Sequence, residues 1–82
     1  MVEFIFDKKF QRIFSKLKDN VTKKQIISQL KKIEINPEAG KPMRNVRKGT
    51  RELYIKPFRL SYSFDKKENK IYVMDLYHKK KQ

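Results

Sequence analysis

The stretch RELYIKPFRLSYSF, residues 51–64, carries the side chains best suited to chemistry. Leu53 and Ile55, then Leu60, Tyr62 and Phe64, alternate with polar residues. A period of two sends one set of side chains into a core and the other outward. The outward set is expected to hold Glu52, Tyr54, Arg59, Ser61 and Ser63. Arginine between small hydroxyls on an open strand face predicts an anionic ligand, because its planar fork matches two phosphate oxygens. The alternative is a structural ion pair between Arg59 and Glu52 across the hairpin. A second group closes the run IYVMDLYH, where Tyr77 and His78 precede Lys79, Lys80 and Lys81. Histidine titrates near neutrality and can act as acid or base.

Arg, Lys, Tyr and His together suit one reaction, cleavage of RNA by its own 2′-hydroxyl. Such cleavage needs a base for the 2′-hydroxyl, cations for the charge that builds at phosphorus, and an acid for the 5′-oxygen. Arg59 is the candidate for the phosphate, His78 for proton transfer, and Glu52 or Tyr77 for the remaining proton step. Tyr54 and Tyr77 could instead stack on bases, as aromatics do in readers of single-stranded RNA. Arg47, Lys48, Arg51, Lys56, Lys79 and Lys80 are expected to add phosphate contacts and with them salt dependence. One histidine and no cysteine do not make a zinc constellation, and two glycines do not make a phosphate-cradling loop. No nucleophile elbow is present, and a carboxylate pair would have to come from Glu52 and Asp75. No cofactor or metal is expected.

The charge supports a polyanionic partner. The chain has 22 Lys and Arg against 9 Asp and Glu, a net of +13. Residues 1–39 hold nine basic and five acidic side chains, a net of +4; residues 40–82 hold thirteen and four, a net of +9. The excess lies on the half that carries the reactive side chains, which favours nucleic acid or an acidic protein. A merely solvated lysine-rich surface is the plainer reading. No apolar run has the length of a membrane span, so a soluble cytoplasmic protein is expected.

Eighty-two residues suffice for one domain. Val2 to Phe6 reads as a strand, and Asp7 as the cap of a helix whose apolar face is Phe10, Ile13, Phe14 and Leu17. Asp19-Asn20 is expected to end it. Thr22, with Gln25 three residues on, is expected to open a second helix bearing Ile26, Ile27, Leu30 and Ile33. Asn36-Pro37 stops that helix. The run PEAGKPMRNVRKGT, residues 37–50, reads as a loop, with brief pairing around Met43 to Val46. Two strands joined at Lys56-Pro57 follow, and a third beyond the polar turn DKKENK. The expectation is an α+β fold: an N-terminal strand, a two-helix hairpin, then antiparallel strands in one sheet with both helices on one face.

This order of elements resembles the RelE/ParE superfamily of type II toxin–antitoxin toxins over nearly the whole chain. The resemblance rests on the helix hairpin, the segment LKKIEINPEAGKPMR, the strand FRLSYSF and the ending LYHKKKQ. It implies a ribosome-dependent mRNA endonuclease that inhibits translation and is silenced by a cognate antitoxin. Operator DNA would be bound only together with that antitoxin. The family's central-strand arginine matches Arg59, and its basic residues at the end of the last strand match His78 and Lys79. Two departures are visible. Glu52 and Tyr54 stand where many RelE-type toxins carry Lys or Arg, while Arg51 and Lys56 have the opposite parity. A tyrosine common after the basic C-terminal cluster would have to be replaced by Tyr77 or Tyr54. Some relatives use a glutamate with a C-terminal histidine, which would fit Glu52 and His78. The ParE-type alternative on the same fold inhibits DNA gyrase and cleaves nothing. A non-catalytic RNA-binding module is a third possibility.

Overall fold

A computed structural model describes residues 2–43 and 49–78. Its elements are β1 (Glu3–Phe6), α1 (Lys8–Lys16), α2 (Asn20–Ile35), β2 (Lys41–Pro42), β3 (Arg51–Ile55), β4 (Phe58–Asp65) and β5 (Lys70–His78). Among the described residues the strands form one sheet in the order β1-β5-β4-β3-β2. The α+β expectation is met, with one addition. β1 returns to pair in parallel with β5, Glu3 opposite Lys70 and Phe6 opposite Val73. All other pairings are antiparallel.

Alternation in β3 and β4 points Leu53, Ile55, Leu60 and Tyr62 to the side where the helices lie. There they meet Phe10 from α1 and Ile26 and Ile33 from α2, all buried. Phe4, Phe6, Phe10 and Phe14 form a chain of stacked rings, each step 5.7 Å between centroids, that joins β1 to α1. α1 lies against β5 and α2 against β3. The apolar stripes read from the sequence are therefore core, except for Ile27, which is 44% exposed on α2.

Two helix ends differ from expectation. Asp7 caps α1 by accepting from the Lys9 N–H at 2.8 Å. α1 stops at Lys16, before Asp19-Asn20, because Leu17 is extended and packs on the core. α2 begins at Asn20 and its cap is Asp19, not Thr22. The Asp19 carboxylate accepts from the Val21 N–H at 3.0 Å and the Thr22 hydroxyl at 2.8 Å. A carboxylate one turn earlier outcompetes the expected Thr22–Gln25 box for the first-turn donors. The Thr22 bond, then the Val21 bond, hold Asp19 below its ordinary pKa of 3.8. The cap therefore strengthens the fold above that value and is lost as pH falls through the lower folded pKa.

The connection after α2 is tied to the centre of the sheet. Tyr62, fully buried on β4, donates its hydroxyl to the Pro37 carbonyl at 2.8 Å and accepts from the Gly40 N–H at 2.9 Å. A Cβ on Gly40 would stand 2.7 Å from the Tyr62 ring, so only glycine fits. Arg51 closes the same segment with bonds to the Glu38 and Gly40 carbonyls and an ion pair to Glu38. The chain then enters β2 at Lys41–Pro42, and the Met43 N–H donates to the Thr50 carbonyl. The pairing expected around Met43 to Val46 thus begins two residues earlier; Arg44 to Val46 lie outside the described residues.

Burial raises the Tyr62 phenol above its ordinary pKa of 10.0, against the opposing pull of the Gly40 bond. The fold favours the neutral ring, so its contribution is complete below pH 10.0 and fades as pH rises through the higher folded value. Tyr62→Phe strands the Gly40 donor and the Pro37 acceptor. The expected loss is about 1–3 kcal/mol in urea unfolding. The thermal midpoint should fall by roughly 4–8 °C per kcal/mol.

Candidate functional site

The sheet face away from the helices carries the polar residues. Strand register sorts them into rows. Tyr54, Arg59 and Tyr77 face one another across β3, β4 and β5. Lys41, Glu52, Ser61 and Asp75 form the next row across β2, β3, β4 and β5. Ser63, Tyr72 and Ile5 form a third.

Arg59 is at the centre. Its Nη1 donates to Glu52 Oε1 at 3.1 Å, and its Cζ lies 5.9 Å from the Tyr54 ring centroid. The Arg59 side chain is 32% exposed, whereas Glu52 is only 6% exposed. The structural alternative for Arg59, a cross-hairpin ion pair with Glu52, is thus formed. Glu52 and Ser61 were expected to be open, but both are buried. β4 is a central strand, so Ser61 is screened by Glu52 and Asp75 on either side. Three atoms in this cluster are buried and unpartnered: Glu52 Oε2, Arg59 Nε and Ser61 Oγ. Asp75, also buried, pairs with Lys9 of α1 at 3.2 Å and accepts from the Leu76 N–H. A hollow of about 460 Å³ opens beside Arg59, walled by Lys41, Pro42 and Met43.

The register separates two residues expected to act together. Arg59 pairs with Tyr77, but His78 pairs with Phe58, one position on and so on the helix side. The His78 ring meets the Phe58 ring edge-on at 5.7 Å. The expectation that His78 works with Arg59 at one phosphate is corrected, since the two lie on opposite faces of the sheet. The cause is a bulge in β5, where Ser61 opposes Asp75 but Tyr62 opposes Val73, leaving Met74 as the extra residue. The bulge lets Val73 and Leu76 both turn inward, and His78 follows Leu76. That signal was present in the sequence as an odd step in the apolar pattern of IYVMDLYH.

Arg51 likewise lies on the helix side with Leu53 and Ile55, and its guanidinium is occupied by Glu38 and Gly40. Lys56 is exposed in the turn after β3, one step beyond the Tyr54–Arg59 pair. Tyr54 is 56% exposed beside Arg59, and Tyr77 is half-buried. Arg47, Lys48, Lys79 and Lys80 lie outside the described residues. Lys41 and Met43 were not expected at the site; the brevity of β2 hid them. Among the described residues no group of acidic and imidazole side chains could hold a metal ion. Nor is any described helix long and apolar enough to cross a membrane.

A family described as the ParE toxin of type II toxin-antitoxin system, parDE, matches residues 4–82. The chain belongs to this toxin family. Its fold is that of the wider RelE/YoeB/ParE group, as the resemblance implied. The YoeB/ParE toxin from Agrobacterium tumefaciens has a TM-score of 0.84 at 13% identity, covering 94% of this chain and 98% of that one. A chain of the intact E. coli RelBE toxin–antitoxin complex has a TM-score of 0.80 at 15% identity, covering 95% and 96%. A chain of the heterotetrameric YoeB–YefM complex from Staphylococcus aureus has a TM-score of 0.75 at 24% identity, covering 95% and 98%. At these identities the likeness is one of fold. No curated protein matches the chain.

The ion pair is asymmetric, which gives a stability test. Arg59 can turn toward water when its partner is lost; Glu52 cannot. Glu52→Ala should cost about 1–3 kcal/mol in urea unfolding, whereas Arg59→Ala, which leaves a buried carboxylate unpaired, should cost about 3–5 kcal/mol.

Proposed function

We propose that this toxin cleaves mRNA on the ribosome and so arrests translation. The observation that carries the reading is the Tyr54–Arg59–Tyr77 row on the sheet face that the described helices leave uncovered. An arginine flanked by two aromatic rings suits a phosphate with a base on either side. Arg59 stabilises the charge that builds on the scissile phosphate through its exposed edge. Tyr77, in register with Arg59, takes the proton role first assigned to His78. The 2′-hydroxyl gives its proton to water, and its oxygen attacks phosphorus. The 5′-oxygen leaves with the Tyr77 proton, which water restores. The products are a 2′,3′-cyclic phosphate and a 5′-hydroxyl. Glu52 acts beneath Arg59 rather than on the substrate. Lys41, at the rim of the adjoining hollow, contacts a neighbouring phosphate. The relatives from E. coli and S. aureus are seen as toxin–antitoxin complexes, which supports a cognate antitoxin as this chain's partner too.

A second reading, inhibition of DNA gyrase without cleavage, has its own support. The family matched is ParE, Arg59 is already paired with a carboxylate, and His78 lies off the face.

A defined message translated on intact ribosomes and mapped by primer extension separates the two. The wild type is expected to cut within codons. Arg59→Lys, which keeps the charge opposite Glu52 but loses the planar fork, is expected to cut at least about 100-fold more slowly. Tyr77→Phe should lose about 100-fold or more. His78→Ala should cut within about twofold of wild type, since its ring meets Phe58 on the other face. An uncut message combined with lost gyrase supercoiling would establish the second reading.

A further inference from the structure

We infer that Glu52 is a charge-compensating latch on Arg59, which holds down the site's affinity for a phosphate group by partly neutralising the guanidinium. The inference deepens the mRNA-cleaving reading and takes its meaning from it. Three observations converge. The carboxylate that holds Arg59 is buried, while Arg59 is partly exposed. Its Oε1 holds one guanidinium nitrogen at 3.1 Å. Arg59 Nε and Glu52 Oε2 are left without partners, so the pair is joined by one bond instead of the two a fork and a carboxylate can make.

A guanidinium held this way carries little net charge toward an approaching anion. A phosphodiester, with one negative charge, gains little from it. The pentacovalent phosphorus species carries roughly twice that charge and competes with the carboxylate for the same nitrogens. Displacing the carboxylate costs the transition state as well, so Glu52 weakens the hold on a bound phosphate group without adding to the rate of the chemical step. The Tyr54 ring beside Cζ limits where the guanidinium can move, so exchange between carboxylate and phosphate needs only a small shift. Glu52 is therefore a positioning residue, and Arg59 is the one that touches substrate.

Inorganic phosphate titrated into the isotope-labelled full chain tests the latch without RNA. The readout is the Arg59 Nε–H resonance, assigned by its loss in Arg59→Lys. Glu52→Gln keeps an acceptor for Nη1 and removes the charge, and should bind phosphate about five- to tenfold more tightly than wild type. Glu52→Met removes charge and acceptor together, should tighten binding at least as much, and serves if the Gln variant does not fold. In the wild type, the Glu52 side-chain carboxyl resonance should move in step with Arg59 as phosphate is added. Equal affinities in all three proteins, or an Arg59 response with Glu52 stationary, overturn the latch. Ribosome cleavage assays add a separate arm, in which Glu52→Gln should lower KM without lowering kcat. A message left uncut by every protein defeats the mRNA reading, while the phosphate titration still decides the latch.

Discussion

Tyr62 is the point on which the rest of the structure depends. It stands at the middle of the central strand, fully buried, with its hydroxyl spanning Pro37 and Gly40. A buried hydroxyl must find partners, and these come from the backbone segment that follows α2. Its ring also fills the space a Gly40 side chain would need. Arg51 secures the segment from the next strand. Together they deliver the end of α2 to the sheet edge and start β2 in register with Glu52. The wall beside Arg59, from Lys41 to Met43, exists because of contacts made on the opposite face of the sheet.

Charge is handled differently at the surface and within the sheet. The chain carries a net of +13, and most of its lysines lie in water. The two acidic side chains that become buried, Glu52 and Asp75, each take a basic partner, Arg59 and Lys9. Unpaired, each would carry a desolvation cost of several kcal/mol, roughly. Pairing keeps the open face from being a uniformly cationic plate. It becomes a row of aromatic and guanidinium groups beside buried carboxylates.

Much of this was legible in the residues themselves. The α1 stripe, the Asp7 cap, the break at Lys56-Pro57 and the sidedness of Leu53, Ile55, Leu60 and Tyr62 follow from local periodicity and stereochemistry. The Glu52–Arg59 pair was visible as one of two readings, since both lie at the same parity on adjoining strands. Asp19 was misjudged as a terminator because caps of successive helices compete over a few residues, and the outcome depends on which side chain reaches the free N–H groups. Burial of Glu52 and Ser61 was not legible, since alternation separates faces but does not say how crowded each will be.

Strand order and register belonged to the tertiary structure. Nothing local says that β1 will lie beside β5, or that β4 will be central. The bulge at Met74 decides that Tyr77, and not His78, shares a face with Arg59. A strand's alternation defines two faces, but only pairing with a neighbour settles which residue stands opposite which, and one inserted residue reverses the answer beyond it. The sequence by itself determined the fold class, the sign of the surface charge and the inventory of reactive side chains, because these follow from composition and short-range pattern. Which of those side chains meet was decided by long-range pairing, whose free energy depends on the whole sheet closing at once.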